Sequence, residues 1–167
     1  AGLESDNTTG PFTIANYGSG ADNMSVATTS GCDMTYASNL NSGDNRTFYM
    51  AYDNVTVLNV FKLIDNSSNA GGGAITIGAP ITQALGATAQ GIHIGVNSDD
   101  AAVVLVDNGT NAILYRMDNS TATSLTLLYD YTSLSSGSGV ALGVNGKKYT
   151  IVTGKAATTN VRVFYDE

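Results

Sequence analysis

Apolar residues along this chain fall in short runs of alternating character, and clusters of Gly, Asn, Asp and Ser separate the runs. A period of two predicts strands rather than helices. Residues 46–53 (RTFYMAYD) form one such run. Residues 54–64 (NVTVLNVFKLI) form the next, with Val55, Val57, Phe61 and Leu63 on one side and Leu58, Val60 and Ile64 on the other. A strand apolar on both sides predicts a place inside a sheet that is covered on both faces. Residues 11–17 (PFTIANY), 23–29, 32–38 and 74–79 read as further strands, Pro11 marking an edge. Residues 91–96 put Ile92, Ile94 and Val96 on one face. Residues 101–107, 111–117, 124–131 and 161–166 complete the set. Only 80–90 (PITQALGATAQ) has helical character, and Gly86 weakens it.

Two Asn-Gly pairs set hairpins. With Asn108-Gly109 as a two-residue type I′ turn, Asp107 faces Thr110, Leu105 faces Ala112 and Val103 faces Leu114. With Asn145-Gly146 in the same role, Val144 faces Lys147, Leu142 faces Tyr149 and Val140 faces Ile151. That register gathers Val140, Leu142, Tyr149 and Ile151 on one side.

The expected fold is therefore all-β: a β-sandwich or jelly-roll of about ten short, mainly antiparallel strands. A chain of 167 residues suits one domain, over 11–167, behind a polar, mobile leader at 1–10.

Composition narrows the partners. Charged residues are 13% of the chain, and the net charge is -7. Phosphate backbones are repelled and no basic stripe exists, which excludes nucleic acid as a natural partner. No apolar run is long enough for membrane insertion by a helix. Solubility rests on 16 Asn, 20 Thr and 15 Ser with 19 Gly. These residues create seven N-x-[ST] acceptors, at Asn7, Asn23, Asn45, Asn54, Asn66, Asn108 and Asn119, none with Pro in the middle. That is roughly twice what chance placement gives, which predicts N-linked glycan at some of them and hence an extracellular or cell-surface location.

Catalytic and metal-binding motifs are sparse. His93 is the single histidine and Cys32 the single cysteine, so neither a zinc site of the usual ligands nor an internal disulfide can form within one chain. Asp99 and Asp100 could donate oxygens to a calcium ion, as could Asp53, Asp65 or Asp118, but the chain has no calcium-loop signature. No G-x-S-x-G frames a serine, and Gly71-Gly72-Gly73 lacks the Lys of a phosphate loop. The expectation is a protein without catalytic centre, obligatory metal or cofactor. Tyr129, Asp130 and Tyr131, or Tyr115 near Asp118, offer the aromatic and polar mixture of a sugar platform.

In composition and all-β periodicity, the whole chain resembles the secreted, strand-exchanging thread and bundling-pilus subunits of archaeal cells. The resemblance implies a structural subunit of an extracellular filament or surface coat, a homopolymer assembled by donor-strand complementation. Residues 11–17, followed by Gly18-Ser19-Gly20, are the candidate donor strand. Phe12 and Ile14 would enter the neighbouring subunit on one side, with Ala15 and Tyr17 on the other. The alternatives are a secreted carbohydrate-binding or adhesive module and a viral capsid or fibre domain.

Overall fold

The computed structural model describes residues 2–4, 13–15, 32–37, 46–65, 75–118, 123–132, 139–155 and 158–165. Every regular element among them is a strand. In chain order these are β1 (Gly2–Glu4), β2 (Thr13–Ala15), β3 (Cys32–Tyr36), β4 (Arg46–Asn54), β5 (Val57–Asp65), β6 (Ile75–Ile77) and β7 (Ile81–Ala84). They continue with β8 (Gly91–Val96), β9 (Ala102–Asp107), β10 (Asn111–Met117), β11 (Thr126–Thr132), β12 (Val140–Asn145), β13 (Lys148–Lys155) and β14 (Thr158–Tyr165).

The strands form discrete antiparallel sheets in a β-sandwich. One sheet runs β3-β4-β5, with β6 and β7 sharing the far side of β5. A second runs β11-β10-β9-β8 and a third β12-β13-β14. Among the described residues β1 pairs with β2 and with no strand of the three sheets.

Alternation places the core on both sides of the second sheet. Val104, Val106, Ile113 and Tyr115 pack against Tyr49, Ala51, Leu58 and Val60 of the first sheet. The intervening residues Val103, Leu105, Ala112 and Leu114 pack against Tyr149 and Ile151 of the third. All six residues of β9 are buried. The second sheet is thus a middle layer, and near-continuous apolar runs in β9 and β10 are the sequence form of that position. β5 also lies inside its sheet, as expected, with residues 58–61 buried. Val55, assigned to that strand from its pattern, instead occupies the exposed β4–β5 turn at φ 59°.

Both expected hairpin registers are corrected. The ladder pairs Asp107 with Ala112 and Leu105 with Leu114. In the other hairpin Asn145 pairs with Lys148, Val144 with Tyr149 and Leu142 with Ile151. Each turn has moved one residue along, so Gly109 (φ 79°) and Gly146 (φ 61°) stand first in their loops. A positive-φ glycine followed by Thr110 or Lys147 without one is the Gly-X pattern of a type II′ turn, which Asn-Gly also encodes. At the first hairpin the buried Asn108 fixes the choice. Its Oδ1 accepts the N–H groups of Thr110 and Asn111, and its Nδ2 donates to Leu85 O. Each slip changes opposite partners without turning side chains over, so the inward faces survive.

The helical reading of 80–90 is also overturned. Ile81–Ala84 forms β7 and pairs with Val57–Val60 of β5. An open ladder beside β5 outweighs the weak helix propensity of a segment broken by Gly86, whose φ is 72°.

Gly95 in β8 lies directly beneath the third sheet. A Cβ there would stand 2.6 Å from Val144 Cγ2 and 3.2 Å from Val144 Cβ. Gly95→Ala is expected to lose about 1–3 kcal/mol of stability through overpacking. Adding Val144→Ala should restore part of that loss in urea denaturation, because it removes the clashing methyl groups.

Candidate functional site

Sheet edges are the distinctive surface of this molecule. Among the described residues β3, β8 and β12 are edge strands of their sheets, and they meet along one side. They line a shallow pocket of about 310 Å³ formed by Thr35, Tyr36, Ile94, Gly95, Val96, Leu142 and Val144. The β8 edge is protected there, since Asp33 of β3 accepts the Ile94 N–H at 2.9 Å through Oδ2. A carboxylate turned toward an edge deters a further strand from adding to it.

β14 is different. It is eight residues long and, among the described residues, pairs on one side only, with β13. Its outward row is Val161 (62% exposed), Val163 (44%) and Tyr165 (72%). These stand opposite Val152, Thr150 and Lys148. Lys148 Nζ lies 5.6 Å from the centre of the Tyr165 ring. The result is a long edge flanked by apolar side chains, the kind of surface that invites another strand. The alternation of Val161, Val163 and Tyr165 is plain in the sequence. Period alone did not tell which side of the strand faces outward. β3 presents a smaller feature of the same type, with Met34 and Tyr36 exposed and the Tyr36 ring edge-on to Phe48 at 5.3 Å.

Of the proposed donor residues, Ile14 and Ala15 lie in β2, opposite Leu3 and Gly2. Phe12 and Tyr17 lie outside the described residues, as does 1–10 apart from Gly2–Glu4. Two of the sequons fall on described asparagines. Asn54 is exposed at the β4–β5 turn, whereas Asn108 is buried with its carboxamide engaged at both ends. Asn7, Asn23, Asn45, Asn66 and Asn119 lie outside the described residues.

The structure separates the two aromatic candidates for a sugar platform. Tyr115 is buried in the first core cluster. Tyr129 and Tyr131 stack at 6.5 Å, but they are half-buried and pack against the second. Asp99 pairs with Lys147 at 3.0 Å, and Asp100 sits in the β8–β9 turn at φ 58°. Its carbonyl oxygen accepts the Tyr49 hydroxyl hydrogen at 2.9 Å. Burial, followed by the nearby Asp100 charge, raises the Tyr49 pKa. Cys32 is exposed on β3 and His93 is half-buried on β8. Among the described residues no three His, Cys, Asp or Glu side chains group as metal ligands, and no helix is long and apolar enough to cross a membrane.

Asp107 carries a pH signature. Burial raises its carboxyl pKa, partly offset by the Gly109 N–H that donates to Oδ1 at 2.7 Å. The folded state therefore holds this proton to higher pH than the unfolded chain does. The corresponding stability is present in full below the unfolded value, about 3.9, and is lost as pH rises through the raised folded value. Asp107→Asn keeps the acceptor for Gly109 and removes the charge. Thermal melts should show the variant at least as stable as the parent at pH 7, with a smaller decline in stability as pH rises across this window.

No protein-family model, curated protein sequence or solved structure matches this chain.

Proposed function

We propose that the protein is a structural subunit of an extracellular filament or surface coat, joined to copies of itself by strand addition at β14. The observation that carries this reading is the outer side of β14, a ladder edge that no strand among the described residues shares, beside exposed Val161, Val163 and Tyr165. A strand added there gains backbone hydrogen bonds along its length and apolar contacts at alternate positions. The donor is the 11–17 segment of the next copy. Among the described residues its core, β2, pairs with β1 and with no strand of the three sheets, and its sequence supplies Ile14 as an apolar anchor. Head-to-tail donation of this kind does not close on itself, so it propagates a fibre. A chain with only 13% charged residues suits contacts built from backbone and apolar groups. The role is structural and non-catalytic.

Electron microscopy and light scattering of three variants test the proposal. Removing residues 1–17 should abolish polymers while leaving a folded domain that binds a synthetic 11–17 peptide. Ile14→Asp should weaken assembly by placing a charge in an apolar slot. Val163→Lys should weaken it from the acceptor side. Polymers from the truncated chain equal to those of the parent would refute the donor, and full assembly by the Val163 variant would refute the acceptor.

A further inference from the structure

We infer that, of the two sequons among the described residues, Asn54 is an N-glycan attachment site of the folded domain and Asn108, an equally good sequon by its residues, is closed to modification. The inference rests on the extracellular reading for its occurrence in nature, but its site selectivity stands on geometry. Asn54, Val55 and Thr56 form the outer turn of the β4–β5 hairpin, and all three residues are exposed. The Thr56 N–H donates to Asn54 O at 2.8 Å, and Val55 adopts φ 59°. A left-handed conformation is strained for a β-branched residue and persists only where its surroundings hold it. Here Leu85 N–H donates to Thr56 O and Ala89 N–H to Val55 O, fixing the turn from below through its backbone. Those bonds engage only the backbone, and Asn54 and Thr56, the two residues whose side chains define the motif, remain exposed.

Asn108 is the internal contrast. It is 8% exposed, its Nδ2 donates to Leu85 O at 3.2 Å, and its Oδ1 accepts two backbone N–H groups. Transfer requires Nδ2 to attack the anomeric carbon of a sugar carried on a lipid phosphate or pyrophosphate. The new N–C1 bond forms as the C1–O bond breaks. The lipid phosphate departs with the bonding electron pair, and the amide proton passes to a base of the transferase. At Asn108 that attack would first require Nδ2 to leave Leu85 O and the hairpin end to open. At Asn54 it requires neither.

The test incubates the folded, unglycosylated full chain with an N-oligosaccharyltransferase and a lipid-linked oligosaccharide, followed by glycopeptide mapping. Synthetic peptides 50–60 and 104–114 run in parallel. The expected result is occupancy of Asn54 at least about tenfold above Asn108 in the folded chain, with the two peptides modified to similar extents. Asn54→Gln should remove that glycan while leaving the fold intact. A bare Asn54 in the folded chain, a refused 50–60 peptide, or equal occupancy at Asn108 would each overturn the inference. Native material is read separately. If it lacks sugar at Asn54 although the folded chain accepts it in vitro, the extracellular reading fails and the site assignment stands.

Discussion

Leu105→Ala is expected to lower folding stability by about 3 kcal/mol, within the ~2–5 kcal/mol range of such truncations in packed cores. Leu105 is fully buried in the cluster between the middle and third sheets. Its chain neighbours Val104 and Val106 are fully buried in the cluster on the opposite side. β9 is thus held from both faces, and it is also paired along both edges, to β8 and β10. A cavity left by Leu105 cannot be closed by shifting the strand, because any shift toward the third sheet opens the first core. The loss should therefore include most of the cavity term as well as the transfer term. Leu127→Ala is the control. Leu127 is 56% exposed, and its truncation should change stability by no more than about 0.5 kcal/mol. Urea denaturation compares the two at unchanged m-value. Equal midpoints would mean that the middle-layer position of β9 is wrong.

The same layering marks the limit of what alternation reveals. β4, β8, β9 and β10 were legible as strands because each carries a period-two or continuous apolar run between turn residues. The doubly buried pattern of 54–64 pointed inside a sheet, where β5 indeed lies. Nothing in the pattern distinguished that position from the place of β9 between two cores, because both read as apolar on both sides. The hairpin registers were missed for a local reason. Asn-Gly supports either a loop that contains Asn or a loop that starts on Gly, and tertiary bonds decide. Leu85 O, remote in sequence, receives the Asn108 carboxamide and holds it at the strand end. Residues 80–90 were misread because their structure comes from the free side of β5 rather than from their own propensity. Tyr129 and Tyr131 could not be placed either. Alternation puts them on a shared side but does not say that this side faces the second core. Outward exposure of Val161, Val163 and Tyr165 was hidden by the same ambiguity.

Asn97→Ala is expected to have an effect of similar size, about 3 kcal/mol, without removing any apolar group. Asn97 is buried at the start of the β8–β9 turn. Its Oδ1 accepts the N–H groups of Asp99 and Ala101, each at 2.9 Å, and its Nδ2 donates to the Tyr149 hydroxyl oxygen at 3.0 Å. One side chain therefore shapes the turn and fastens it to β13 in the third sheet. The Ser98 N–H, which donates to Gly146 O at 3.3 Å, adds a second link between the same two layers. Truncation to Ala removes the acceptor from two N–H groups at once. The one on Ala101 is buried, and stranding a buried donor costs about 1–3 kcal/mol. Tyr149→Phe deletes only the hydroxyl at the other end and should cost about 1 kcal/mol. Combining the two substitutions tests whether they share one interaction. Once Asn97 is gone the hydroxyl has lost this partner, so the double variant should be more stable than the summed single losses predict, by roughly 1 kcal/mol. Amide exchange should also quicken at Asp99 and Ala101 in the Asn97 variant and remain unchanged there in Tyr149→Phe. Strict additivity, or protected amides in the Asn97 variant, would show that the turn holds its shape without this side chain.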